Sequence, residues 1–157
     1  MSKILQLSIF LILFCIFSGR VVSQSSTTMQ DIFETVSSKI TDLEEKNDKE
    51  VVNVTFDLLV NQNSKSIYRF LDGAFTYDLA VIGDRRVGSF KVKVYKQGAS
   101  DWELVEETSG LNPKTKLYPS GFEEYKFVVT VLDFKGSSNA GHFALILYHE
   151  NPEKTEK

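Results

Sequence analysis

Cysteine is nearly missing from this chain of 157 residues, which holds one, Cys15. It lies in an N-terminal apolar run, residues 4–17, and departs with that run if the run is a secretory signal. The remainder then has neither a disulfide nor a cysteine nucleophile, so an apolar core must hold the fold. A lipidated Cys15 is the alternative, although Phe14 stands where a bacterial lipobox carries a small residue. Histidine is equally scarce. His142 and His149 are seven apart on one predicted strand, and an odd offset sends them to opposite faces, so that strand does not offer both to one metal ion. After residue 17 no apolar run approaches the roughly 20 residues of a membrane-spanning helix. A basic stripe is lacking as well. Removing Lys3 and Arg20 with the signal reduces 18 basic residues to 16 against 21 acidic ones, a formal charge of −5. Lys91, Lys93 and Lys96 interleave with apolar positions, which argues against nucleic acid as a partner.

The familiar catalytic patterns are missing too. No glycine-rich phosphate loop and no Gly-x-Ser-x-Gly elbow occurs, and "YPSGF" lacks the elbow's first glycine. Glu123 and Glu124 are adjacent and diverge on a strand, unlike the facing carboxylates of a glycosidase. The expectation is a non-catalytic protein without a cofactor or bound metal.

Residues 1–23 have the form of a signal peptide: Lys3, an apolar stretch of about 14 residues, then Val21-Val22-Ser23 as a cleavage site. A retained anchor is the alternative. Cleavage makes Gln24 the first residue, and the destination secreted or periplasmic. In residues 24–49, Met29, Ile32, Phe33, Val36, Ile40 and Leu43 recur at steps of three and four. This predicts an amphipathic helix with Thr28 and Asp31 at its start, running into the charged link "DLEEKNDKE".

From Glu50 the period becomes two. Seven runs rich in β-branched and aromatic residues follow, separated by turn signals. On the first, Val52, Val54, Phe56 and Leu58 share one face and Asn53, Thr55 and Asp57 the other, and Tyr68 and Phe70 lead the second. Phase then places Phe75, Tyr77, Leu79 and Val81 inward opposite Phe90, Val92 and Val94. Tyr125, Phe127, Val129 and Val131, and Phe143, Leu145 and Leu147, form the last inner faces. No helical crossover intervenes, which excludes a parallel sheet. The predicted fold is all-β: an antiparallel sandwich of jelly-roll or immunoglobulin-like type over residues 50–150, preceded by one helix and followed by a polar tail, residues 151–157. His142, Ala144, Ile146 and Tyr148, with Val128 and Leu132, leave a second face partly apolar. The helix is the expected cover, and a partner protein is the rival.

The segments "IYRFLDGAFTYDLAVIGD", "SFKVKVYKQG", "LYPSGFEEYKFVVTVLDF" and "AGHFALILYHE" together resemble the bacterial pre-peptidase C-terminal domain, a secreted β-sandwich. The resemblance spans about residues 52–150. It implies an accessory role beside secreted proteases, in export or substrate contact. Some members bind calcium through acidic residues after the Gly-Asp turn. Here Asp84 is followed by Arg85 and Arg86, and one carboxylate falls short of the six to eight oxygens that calcium takes.

What remains is binding. Arg85 and Arg86, at the tip of a turn expected to be solvated, are candidates for gripping an acidic partner. Trp102 and Tyr118 are candidates for a carbohydrate platform, the alternative to contact with a protein or cell-envelope component. Asn53-Val54-Thr55 matches a glycosylation sequon, used only in a eukaryotic secretory route.

Overall fold

Alternating residues from Lys49 onward become eight antiparallel strands in two four-stranded sheets. A computed structural model describes residues 28–61 and 63–155, so the predicted signal and the chain's last two residues lie outside the described residues. Helix α1 is Thr28–Thr41 and continues into a π-helical turn, Asp42–Lys46. The strands are β1 (Lys49–Val60), β2 (Ser64–Leu71), β3 (Tyr77–Gly83), β4 (Val87–Gln97), β5 (Trp102–Gly110), β6 (Lys114–Leu117), β7 (Glu123–Phe134) and β8 (Ala140–Glu150). A short helix α2, Pro152–Thr155, ends the described chain within the polar tail. The first sheet has the order β1-β8-β3-β6 and the second β2-β7-β4-β5. The protein is thus an all-β sandwich with one helix before it.

The main core lies between the sheets. Tyr77, Leu79 and Val81 of β3 meet Phe90, Val92 and Val94 of β4 there, with Phe127, Val129, Phe143 and Leu145 from β7 and β8. These are the inward faces that the two-residue period predicts. The run from β3 to β4 is no hairpin, however. Each strand belongs to a different sheet, so residues 84–86 form an arch that carries the chain across the sandwich. β7 and β8 are likewise in separate sheets, and Val128 and Leu132 do not share a face with Ala144 and Ile146. β6 is the strand that the sequence conceals, because "KTKL" is short and mostly polar.

On two strands the structure decides which face is the inner one. On β1, Val54 and Phe56 point away from the sandwich, and Asn53, Thr55, Asp57 and Leu59 share the phase of the inner residues of β8. On β2, Ile67 and Leu71 are buried while Tyr68 and Phe70 lie outside. Both strands close one side of the sandwich, where a polar lining is tolerated because each group finds a partner. Arg69 donates to the Thr55 hydroxyl at 2.8 Å, and Thr55 donates to the Asn53 side-chain oxygen at 2.9 Å. Lys65 pairs with Asp57 at 3.1 Å.

The outward face of β1 is apolar because α1 covers it. Ile32, Val36 and Leu43 are buried against Ala80, Ala144, Ile146 and Tyr148, with Val54, Phe56 and Ile82 at the margin. Phe33 stacks at a tilt on Phe56, ring centroids 4.5 Å apart. The helix therefore covers the outer face of the first sheet, as its stripe anticipated. Ile32→Ala is expected to lower stability by about 2–4 kcal/mol, the usual loss for an aliphatic side chain buried on all sides. Urea denaturation measures this, and a loss below about 1 kcal/mol means that the helix contributes little to the core.

Candidate functional site

The arch at residues 84–86 is solvated only at its tip, where Arg85 is exposed. Asp84 is 4% exposed, and both of its carboxylate oxygens are occupied. Oδ1 accepts from the Arg86 backbone N–H at 2.9 Å; Oδ2 accepts from the Arg86 guanidinium at 2.7 Å and the His142 backbone N–H at 2.8 Å. The Asp84 N–H donates back to the His142 carbonyl at 3.0 Å, and the Arg86 carbonyl accepts from the Lys135 N–H at 2.8 Å. His142 Nδ1 lies 3.2 Å from the Arg86 guanidinium and 3.5 Å from the Thr28 hydroxyl, which brings the start of α1 into the knot. Glycine is required at two points. A Cβ on Gly83 would lie 2.8 Å from the Phe90 ring and from Val87, and one on Gly141 would lie 2.6 Å from Val87.

Burial pushes the Asp84 carboxyl up, but the hydrogen bonds from Arg86 and the His142 N–H, with the Arg86 charge, outweigh it and hold the group below its ordinary value. Two tyrosines shift the other way. Tyr125 is pushed up to about 12 by burial first and then by the Glu123 carboxylate, to which it donates at 3.3 Å. Tyr148, under α1, is raised by burial and then by Asp78.

Two surfaces flank this frame. The first is the outer face of the second sheet, on which no other element packs among the described residues. One end of it is aromatic. Phe70 is 60% exposed, Phe122 is 75% exposed, and their rings stack 5.2 Å apart. Beside them Tyr68 meets Trp102 edge-on at 5.6 Å. The Lys126 ammonium sits 4.6 Å from the centroids of both Trp102 and Tyr95, a doubled cation–π contact. Leu104, half exposed, extends the strip.

The second surface is a cleft of about 530 Å³ between the C-terminal half of α1, the end of β3, the arch and the loop before β6. Ala80, Ile82 and Leu111 supply apolar walls, and Lys39, Lys46, Arg85, Lys114 and Lys135 line it with positive charge. Among the described residues no cluster of three or more His, Cys, Asp or Glu side chains is placed to hold a metal ion. Both oxygens of Asp84 are engaged by nitrogen donors.

No family model and no curated protein matches the sequence. Solved structures similar to the chain include the pre-peptidase C-terminal domain of collagenase from Bacillus anthracis. Its identity is 12% and its TM-score 0.46, covering 60% of this chain and 87% of that one. The mitogen of Yersinia pseudotuberculosis is 9% identical at a TM-score of 0.47, covering 62% and 84%. PliG of Aeromonas hydrophila, a periplasmic inhibitor of g-type lysozyme, is 9% identical at 0.43, covering 62% and 84%. A pre-peptidase C-terminal domain, which the strand motifs resemble, is thus among these structures.

The four residues singled out from the sequence fall in different places. Arg86 is committed to Asp84, and Arg85 lines the cleft. Trp102 belongs to the aromatic strip at the other end of β4, roughly 30 Å away at the rise of an extended strand. Tyr118 borders a smaller cavity of about 230 Å³ with Lys96, Val105 and Tyr125. The sequence offers Phe122 beside Trp102 and Tyr118 as a loop aromatic for a carbohydrate platform, but gives Phe70 and Lys126 no role in it. For Phe70 the signal was the excess of apolar letters on both faces of "SIYRFL", which leaves one aromatic row without a core.

Asp84→Asn is expected to cost about 2–4 kcal/mol, since it weakens a buried, multiply bonded carboxylate. A carboxyl depressed in the native state stabilises above its unfolded pKa, about 3.9, and that contribution disappears as pH falls through the native value. The parent therefore loses stability on acidification below about pH 4, and Asp84→Asn flattens that slope; equal slopes in urea titrations would refute the assignment. At the alkaline end, Tyr125 is expected to ionise near 12 in an absorbance titration at 295 nm. Its contribution is intact below about pH 10 and falls as pH rises through the native value. Tyr125→Phe removes that step.

Proposed function

We propose that this chain is a secreted or periplasmic, non-catalytic binding module that docks on a protein of the cell envelope or its surroundings through the outer face of the second sheet. The observation that carries this reading is the asymmetry of the two sheets. The first has its outer face buried by α1, and the second presents Tyr68, Phe70, Leu104 and Phe122 to water. A contiguous apolar patch of this kind is uncommon on a monomer that binds nothing, and aromatics with a charged rim are what interface centres are made of.

Geometry favours a protein surface over a sugar ring. Phe70 and Phe122 stack on each other, and Lys126 covers a face of Trp102, so the rings do not lie side by side as a flat platform. Tyr118 is set apart from them beside Lys96 and Tyr125.

The test is capture of partners from envelope and secreted fractions by the immobilised protein, identification of the bound species, and affinity measurement with the purified partner. Phe70→Ala and Trp102→Ala are each expected to weaken binding about 30-fold, the loss of about 2 kcal/mol typical of an interface anchor. A partner whose affinity neither substitution changes contradicts the use of this face. Retention on a glycan array that Trp102→Ala and Tyr118→Ala abolish would establish the carbohydrate reading instead.

A further inference from the structure

The geometry points to a second binding site: the cleft beside the arch takes a short, extended acidic peptide that continues the first sheet along the open edge of β3. Three observations converge on it. The first is the ladder. β6 pairs with β3 through Ala80 opposite Lys114, and the Val81 N–H still donates to the Pro113 carbonyl at 3.1 Å. Beyond that point no strand follows β3 on this side among the described residues.

Backbone alternation then fixes which groups face the cleft. Val81 donates toward β6, and Asp84 donates toward His142 on β8. Gly83 is two residues after Val81, so its N–H and C=O point with those of Val81, toward the cleft. Val81 and Gly83 line the cavity, and past the Pro113 bond to Val81 the main-chain groups of Gly83 form a short sheet edge at the floor of a depression. An added strand takes its affinity from such main-chain groups and its specificity from the pockets beside them.

The second observation is charge. Five basic side chains line the cleft against two acidic ones, Asp42 and Asp84. Asp84 is paired with Arg86, and Asp42 is shared between Lys46 at 3.1 Å and Lys39 at 3.7 Å. The lining thus has a positive excess on a chain whose formal charge is −3. Such a concave basic site focuses its field on an anionic ligand.

Size is the third. A cavity of about 530 Å³ is within the range of small-ligand sites, and the apolar walls from Ala80, Ile82 and Leu111 suit aliphatic side chains alternating with the carboxylates. A free anion would use the lysines but neither the sheet edge nor these walls. The site stands apart from the aromatic face, so the two are tested independently.

The probe is a capped peptide of alternating Glu and Val, eight residues long, titrated into the purified protein with amide shifts followed by NMR. Saturable binding is expected, with the largest shifts at Val81, Gly83 and residues 111–114. Lys114→Glu combined with Lys135→Glu should weaken it at least tenfold, and a rise in salt from about 50 to 500 mM should weaken it as well. Phe70→Ala should leave it unchanged, which separates this site from the proposed docking face. Three results would overturn the inference: no binding at millimolar peptide, equal binding of the Lys–Val counterpart, or equal binding of free glutamate. Shifts confined to the aromatic strip would overturn it too.

Discussion

One buried carboxylate connects most of the molecule. Asp84 stands where the chain leaves the first sheet for the second, and its oxygens hold the arch closed from within and tie it to β8. A buried charge is tolerable only when its hydrogen-bonding capacity is filled. Arg86 and the His142 N–H fill it here, and the return bond from the Asp84 N–H to His142 makes the link reciprocal. Through His142 the knot reaches Thr28 at the start of α1. The crossing between sheets, the seating of the helix and the shape of the cleft therefore share one anchor.

That anchor explains how one small sandwich comes to have two unlike faces. β8 lies in the middle of the first sheet, with Phe143, Leu145 and Leu147 inward and Ala144, Ile146 and Tyr148 outward, so both of its faces need cover. The helix covers the outward one. The second sheet has no such cover among the described residues, and its outer residues mix lysines with aromatics. A surface of that mixed character withstands water while still offering anchors to a partner, and this is the basis for reading the protein as a binding module.

Much of this architecture is legible in the sequence, for a physical reason. A strand between two sheets must alternate, and β3, β4, β7 and β8 show their phases plainly. The stripe of α1 is as clear, and the doubly apolar β8 announces that something covers it. Where both faces of a strand carry apolar side chains, alternation alone does not say which is the core. On β2 this leaves open whether Ile67 and Leu71 or Tyr68 and Phe70 face the core, and on β1 the apolar row of Val54 and Phe56 faces the helix rather than the sandwich. The arch hid for a different reason. "GDRRVG" has the composition of an exposed turn, and the partner that buries Asp84 is a backbone N–H 58 residues away, which leaves no mark on side-chain identity. The cleft is built from α1, β3 and two loops, and no local pattern assembles it.

The dependence on Asp84 is most directly tested by native-state hydrogen exchange at the amides of Arg86 and His142, its two backbone donors. If the knot opens only when the sandwich unfolds, both exchange with the free energy of global unfolding, alongside the central amides of β7 and β8. Exchange of these two amides through a low-energy local opening, with β7 and β8 still protected, would contradict the account.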